Sequence, residues 1–159
     1  MSGSRERAVF DCNVFFQALI NRLGPAGRCV SAAIDGRVEL YCSARIFAEL
    51  TEVATRPQLR PRFAALTDDR TRLLIESIEC VAVFVENVPE VFALEREPDD
   101  AHYVNLAIVT GAKYVVSRDK DLTDLSDPST EAGRDFRRRS LTIEIIEPQD
   151  LLKRLEQSQ

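Results

Sequence analysis

Four carboxylates stand at positions where chemistry competes with ordinary structural duty. Asp11 ends the apolar run Ala8-Val9-Phe10, and Asp119 lies two residues past a second apolar run, 114–117. Both positions also suit a turn or capping aspartate, a common use of that residue. Glu49 is more pointed. Ile46, Leu50 and Val53 form the apolar stripe of its helix, and Glu49 lies on or beside that stripe, whereas Glu52 falls further off it and reads as solvated. A carboxylate aimed inward is costly to bury unless a cation or donors meet it, and an arginine salt bridge at the edge of the core is the alternative. Asp100 heads the stripe Val104, Ala107 and Ile108 of a later helix. Its neighbour Asp99 is better placed as the N-cap, where the helix dipole also favours an anion.

Acids brought into one small site repel one another: two unit charges ~4 Å apart cost about 4 kcal/mol at an effective dielectric of about 20. Without a cation, one of them takes up a proton. A divalent ion removes the repulsion, lowers the pKa of a bound water and neutralises charge on a phosphodiester oxygen. Such chemistry needs no side-chain nucleophile. That suits a chain with one histidine, His102, and four scattered cysteines, Cys12, Cys29, Cys42 and Cys80, none in a CxxC pair. That inventory argues against a histidine or cysteine zinc site, and a metal would have to be a hard, oxygen-bound ion such as magnesium, manganese or calcium. His102, two residues after Asp100, is expected to face elsewhere, on the surface or in helix packing. Cys12 is expected in the core.

The elements that must position these acids read as alternating strands and helices. Strands are expected at 8–10, 38–42, 81–86, 114–117 and 141–146. Between them come a helix over VFFQALIN capped by Asn13, a helix over AGRCVSAAID, and one over ARIFAELTEVATR capped by Ser43. Two shorter helices fill 61–79, the second capped by Asp68 or Asp69. One runs from near Asp99 to Gly111, and a last is opened by Pro148. Strands alternating with such helices give an α/β fold with a parallel sheet covered on both faces. In such sheets ligands bind outside the carboxyl ends of the strands, the edge where Asp11 and Asp119 fall.

With 159 residues, 45% of them hydrophobic and 30% charged, the chain is expected to form one domain. It has no apolar run near the roughly 18 residues of a membrane helix and no long apolar core of a secretory signal, so a cytoplasmic protein is expected. Its net charge of −5 disfavours nucleic acid as a partner. The arginines are nonetheless clustered, with Arg56, Arg60 and Arg62 in RPQLRPR and Arg134, Arg137, Arg138 and Arg139 in GRDFRRRS. Basic patches around an acidic site suit phosphate-binding arms; solvated loop arginines are the plainer alternative.

Four stretches together resemble the PIN-domain ribonucleases. VFDCNVFFQALI resembles their opening strand, with an aspartate followed two residues later by asparagine. IFAELTEVATRP resembles their helix with a metal-binding glutamate, and PDDAHYVNLAIVTGAKYVVSRDKDL their closing block. IEIIEPQDLL resembles the terminal strand and helix. The match spans nearly the whole chain in order and is nearest to the toxin components of bacterial toxin–antitoxin pairs. The resemblance implies a three-layer α/β/α sandwich around a central parallel sheet, a single PIN-like nuclease domain over 1–159 with 1–6 as a flexible tail. It also implies magnesium- or manganese-dependent cleavage of single-stranded RNA. It places metal-binding acids at Asp11, Glu49, Asp100 and Asp119, with Asn13 orienting Asp11 or a water and Ser117 hydrogen-bonding within the site. An antitoxin partner and a homodimer follow from the resemblance alone. Asp99, Asp121 and Asp124 are close enough to be confused with the four, Asp121 and Asp124 being expected in solvent.

Two departures from the family pattern stand out. The stretch 126–140 is longer than the short link expected, and Arg118 stands where glycine is frequent. A cation beside Asp119 could bind phosphate or compete with the metal. RNA-contacting candidates are therefore Arg118, Arg56, Arg60, Arg62, Arg137 and Arg138. Two other readings compete: a non-catalytic PIN-like module that binds RNA or protein, and an aspartyl-phosphate phosphatase. The second needs an acid two residues after its nucleophile, where this chain has Asn13, which cannot transfer that proton.

Overall fold

In the computed structural model, residues 5–94, 98–139 and 142–158 are described. Strand β1 (Glu6–Phe10) is followed by helices α1 (Cys12–Ile20) and α2 (Pro25–Ile34), then by β2 (Val38–Ser43) and α3 (Ala44–Ala54). Helix α4 (Asp68–Val81) leads to β3 (Val83–Val85), and α5 (Ala101–Thr110) leads to β4 (Tyr114–Val116). The short α6 (Lys120–Thr123), then α7 (Glu131–Arg138), β5 (Glu144–Ile146) and α8 (Pro148–Gln157) complete the chain. The five strands form one parallel sheet in the order β3-β2-β1-β4-β5, the core of a three-layer α/β/α fold.

That order places the site before any side chain is considered. The chain winds outward from β1 through β2 to β3, then returns to the other side of β1 with β4 and β5. The direction of winding therefore reverses between β1 and β4, and a crevice opens at their carboxyl ends. Both strands are fully apolar there: Val9, Phe10, Val115 and Val116 are all wholly buried. An unbroken apolar run is what a strand covered on both faces requires.

Several local expectations shift. The cap of α1 is Asp11, whose side chain accepts from the Asn13 amide, so Asn13 lies inside the helix. One long helix, α4, replaces the two short ones, and Thr67 caps it through the Arg70 amide instead of Asp68 or Asp69. Val81 closes α4, which shortens the expected strand at 81–86. The last strand begins at Glu144, residue 141 lying outside the described residues. Asp99 is not a cap: Pro98–Asp100 forms a 3-10 turn, and Asp100 occupies the N-cap position of α5 without a side-chain cap bond. Glu6 belongs to β1 rather than to a tail.

Two helix ends follow the sequence closely. Ser43 caps α3 through the Ile46 amide at 3.4 Å. Gly111 ends α5 at φ 70°, a left-handed conformation that favours glycine. Buried Asn105 on α5 takes the place of a strand partner for the chain after β3. Its Oδ1 accepts from Val91 (3.1 Å) and Phe92 (2.7 Å), and its Nδ2 donates to the Phe92 carbonyl (3.0 Å). The long segment 126–140 holds α7, capped by Thr130 and anchored by buried Phe136, whose ring meets Phe92 edge-on at 5.6 Å.

Candidate metal and nucleic-acid site

Asp11 is 3% exposed at the end of β1, and both oxygens of its carboxylate are engaged. Oδ1 accepts from the Asn13 amide at 2.9 Å, and Oδ2 accepts from the Ser117 hydroxyl at 2.7 Å. Ser117, fully buried past the end of β4, accepts in turn from the Asp119 amide at 2.9 Å. The carboxylate of Asp119 caps α6 through the Asp121 amide at 2.9 Å. Burial pushes the Asp11 carboxyl above its ordinary pKa, the charge of Asp119 adds to this, and bonds from Asn13 and Ser117 only partly offset it. Capping and site-building therefore coincide in both aspartates. A carboxylate offers about four acceptor positions, so neither is exhausted by its cap.

Asn13 takes part through its backbone amide; its side chain is exposed. Glu49, half-buried on α3, faces inward as its stripe position predicts. Its Oε2 accepts from the Tyr103 hydroxyl at 2.8 Å, and Arg45 Nε lies 3.5 Å from Oε1. The arginine alternative is thus partly realised. The partner the sequence did not reveal is His102, which is buried with Nε2 2.5 Å from Glu49 Oε1, correcting the expectation that it faces away. Both atoms are buried, and this contact is the closest that Glu49 makes. Burial would raise the Glu49 carboxyl; contacts from His102 and Tyr103 and the nearby Arg45 outweigh it and hold the pKa below the ordinary range.

Tyr103, also absent from the sequence reading, is 1% exposed and accepts from the Cys12 amide at 3.2 Å. It thus links Glu49 to the residue beside Asp11. Helix α5 is buried without a break from Ala101 to Ala107. A histidine and a tyrosine in so apolar a run must be buried, and a buried phenol seeks a partner; that was the available signal. Cys12 is buried as expected, and burial raises its thiol to about 12. Asp100 is half-buried at the head of α5, whereas Asp99 is exposed and paired with Arg45 at 3.6 Å. Asp121 and Asp124 are half-buried instead of solvated.

The arginine candidates divide. Arg56 binds Glu52 with two bonds of 3.0 and 2.8 Å. Arg60 binds Asp68 at 2.5 Å and the Ala54 carbonyl at 3.1 Å, and Arg62 lies over the Phe63 ring. Arg118, Arg137 and Arg138 are exposed.

A parallel α/β/α sheet carries Asp11 and Asp119 at its switch point, and the comparisons name the class. Residues 7–121 match the PIN domain, and the chain belongs to the PIN-domain family. PIN domains are in general nucleases that act on nucleic acid and use divalent metal ions. The chain is also 29% identical over 121 residues, 76% of each protein, to the uncharacterized protein MJ1680 of Methanocaldococcus jannaschii.

The donors fit a hard divalent ion by chemistry: buried Asp11 carries a repulsion from Asp119 that a cation would relieve, and Glu49 Oε1 is a buried oxygen without a hydrogen bond. Their arrangement is less advanced. Among the described residues no three His, Cys, Asp or Glu side chains stand together as a metal-holding group. Among the described residues, no helix is long and apolar enough to cross a membrane.

Proposed function

We propose that the chain is a divalent-metal-dependent endoribonuclease of single-stranded RNA and the toxin of a toxin–antitoxin pair. The observation that carries the reading is buried Asp11, bonded through Ser117 to the Asp119 backbone at the switch point of the sheet. Asp11, Glu49, Asp100 and Asp119 would hold magnesium or manganese. When bound, the ion would lower the pKa of a water so that hydroxide is available near neutral pH, and would neutralise charge on the phosphodiester. This chain's own groups do the positioning. The Asn13 amide and the Ser117 hydroxyl fix the two oxygens of Asp11, and exposed Arg118, Arg137 and Arg138 offer cations to RNA phosphates. Arg56 and Arg60 are weaker candidates because each already holds an acid. The products would be a 3′-hydroxyl and a 5′-phosphate. Residues 1–159 would act as one nuclease domain in the cytoplasm, as a homodimer restrained by an antitoxin protein.

The test is cleavage mapping on total cellular RNA with and without EDTA. Wild type is expected to cut only with free divalent metal, and Asp11→Asn and Asp100→Asn to lose cutting while retaining the wild-type circular dichroism spectrum. Undiminished cleavage by both variants would remove the site assignment. A second reading, a non-catalytic PIN-like binding module, is favoured by Glu49's engagement with His102, Tyr103 and Arg45. Calorimetry with manganese separates the two, since only the nuclease requires binding at low millimolar metal.

A further inference from the structure

We infer that Tyr103 is a positioning residue that sets the placement of Glu49 relative to Asp11, and through it the affinity of the site for a divalent ion. The inference rests on the metal-dependent reading above. One phenolic oxygen spans two separate elements of the site. It accepts from the Cys12 amide at 3.2 Å, next to Asp11, and donates to Glu49 Oε2 at 2.8 Å, 54 residues away. The ring is 1% exposed in a stretch of α5 buried without a break from Ala101 to Ala107, so it has little freedom to follow Glu49. The His102 ring lies against it with centroids 3.9 Å apart.

The geometry separates the two oxygens of Glu49. Tyr103 occupies Oε2 with a well-formed bond, and Oε1 lies near His102 and Arg45 without a hydrogen bond. A divalent ion approaching Glu49 therefore meets a carboxylate already oriented through Oε2, with His102 Nε2 and Arg45 Nε flanking Oε1 at 2.5 and 3.5 Å. Groups behind a ligand that fix its orientation typically change metal affinity by about 10- to 100-fold when removed. Arg45 can restrain Glu49 from the solvent side, but it also pairs with Asp99, so it does not replace a buried anchor.

Tyr103→Phe deletes one oxygen and keeps the ring. Manganese titrated calorimetrically into the purified variant is expected to bind about tenfold more weakly than into wild type. The same change made in a Glu49→Gln background is expected to have no further effect on manganese affinity, because Tyr103 acts through Glu49. Unchanged affinity in Tyr103→Phe, or an equal loss in both backgrounds, would overturn the inference. The second result would assign Tyr103 to general packing alone. The chain has three tyrosines and no tryptophan, so the wild-type ultraviolet difference spectrum serves if the variant does not fold. A tyrosine band is expected on adding manganese and is expected to vanish in Glu49→Gln; its absence in wild type would overturn the inference. Wild type that binds no manganese by calorimetry would defeat the metal-dependent reading itself, whereas binding with no Tyr103 dependence would defeat this inference only.

Discussion

Asp11 performs two tasks with one carboxylate: it starts α1 and anchors the candidate site. Burial raises its pKa above the ordinary 3.8, with the Asp119 charge adding to the effect. A raised value in the folded state means that the native protein holds the proton more tightly than the unfolded chain does. The stabilising contribution is complete below the unfolded value and is lost as pH climbs through the folded one. Metal-free Asp11→Asn, which cannot ionise and can still cap a helix, should therefore resist urea better than wild type at pH 7. That advantage should shrink as the pH falls toward about 4. Superimposable urea curves at pH 7 would contradict the argument. At this scale the sequence was legible wherever position along a strand or helix decided the outcome. Asp11 and Asp119 follow from strand ends, and Glu49 from its stripe. His102 and Tyr103 were not legible because α5 is buried without a break from Ala101 to Ala107, so no periodicity marks which face meets Glu49. Their partner also lies about fifty residues earlier in the chain.

At the scale of elements, the segment between β4 and β5 departs furthest from expectation. Its helix α7 exposes most of its surface and buries Gly133 and Phe136. With so few apolar positions, a sequence reading sees only a polar link. The chain reaches the helix by a tight turn in which Gly133 packs against the Asp127 carbonyl, leaving no room for a Cβ. Thr130 organises that turn: its hydroxyl accepts from the Gly133 amide at 2.9 Å and faces the Asp124 and Asp127 carbonyls at 2.8 and 2.9 Å. Thr130→Ala should cost about 1 kcal/mol in urea unfolding, the usual worth of such a cap. Thr130→Ser should restore most of it, and a Thr130→Ala protein as stable as wild type would show that α7 needs no cap. By contrast, α3 and α5 were readable at their ends because Ser43 and Gly111 are strong local signals.

Across the whole molecule, the fold class was legible because five apolar runs alternate with helical segments, a pattern that only a covered parallel sheet accommodates. The order of the strands was not. No local feature states that β4 pairs with β1 rather than β3, since that choice is made by contacts more than a hundred residues apart. This order has a consequence for the chain as it is synthesised. Synthesis delivers the residues of β1, β2 and β3 well before residues 114–116, which pair with the other side of β1. Until then, that edge of β1 is bare, and Asp11 lacks Ser117 and Asp119, which arrive with the last third of the chain. Ribosome-stalled chains ending before residue 110 should therefore be cut by protease within β1 and leave RNA intact, whereas full-length chains should resist the protease. Protection of the short chains would refute this order of events. For the nuclease proposed above, a nascent chain is therefore expected to spare its own message until residues 117–119 have emerged and joined Asp11.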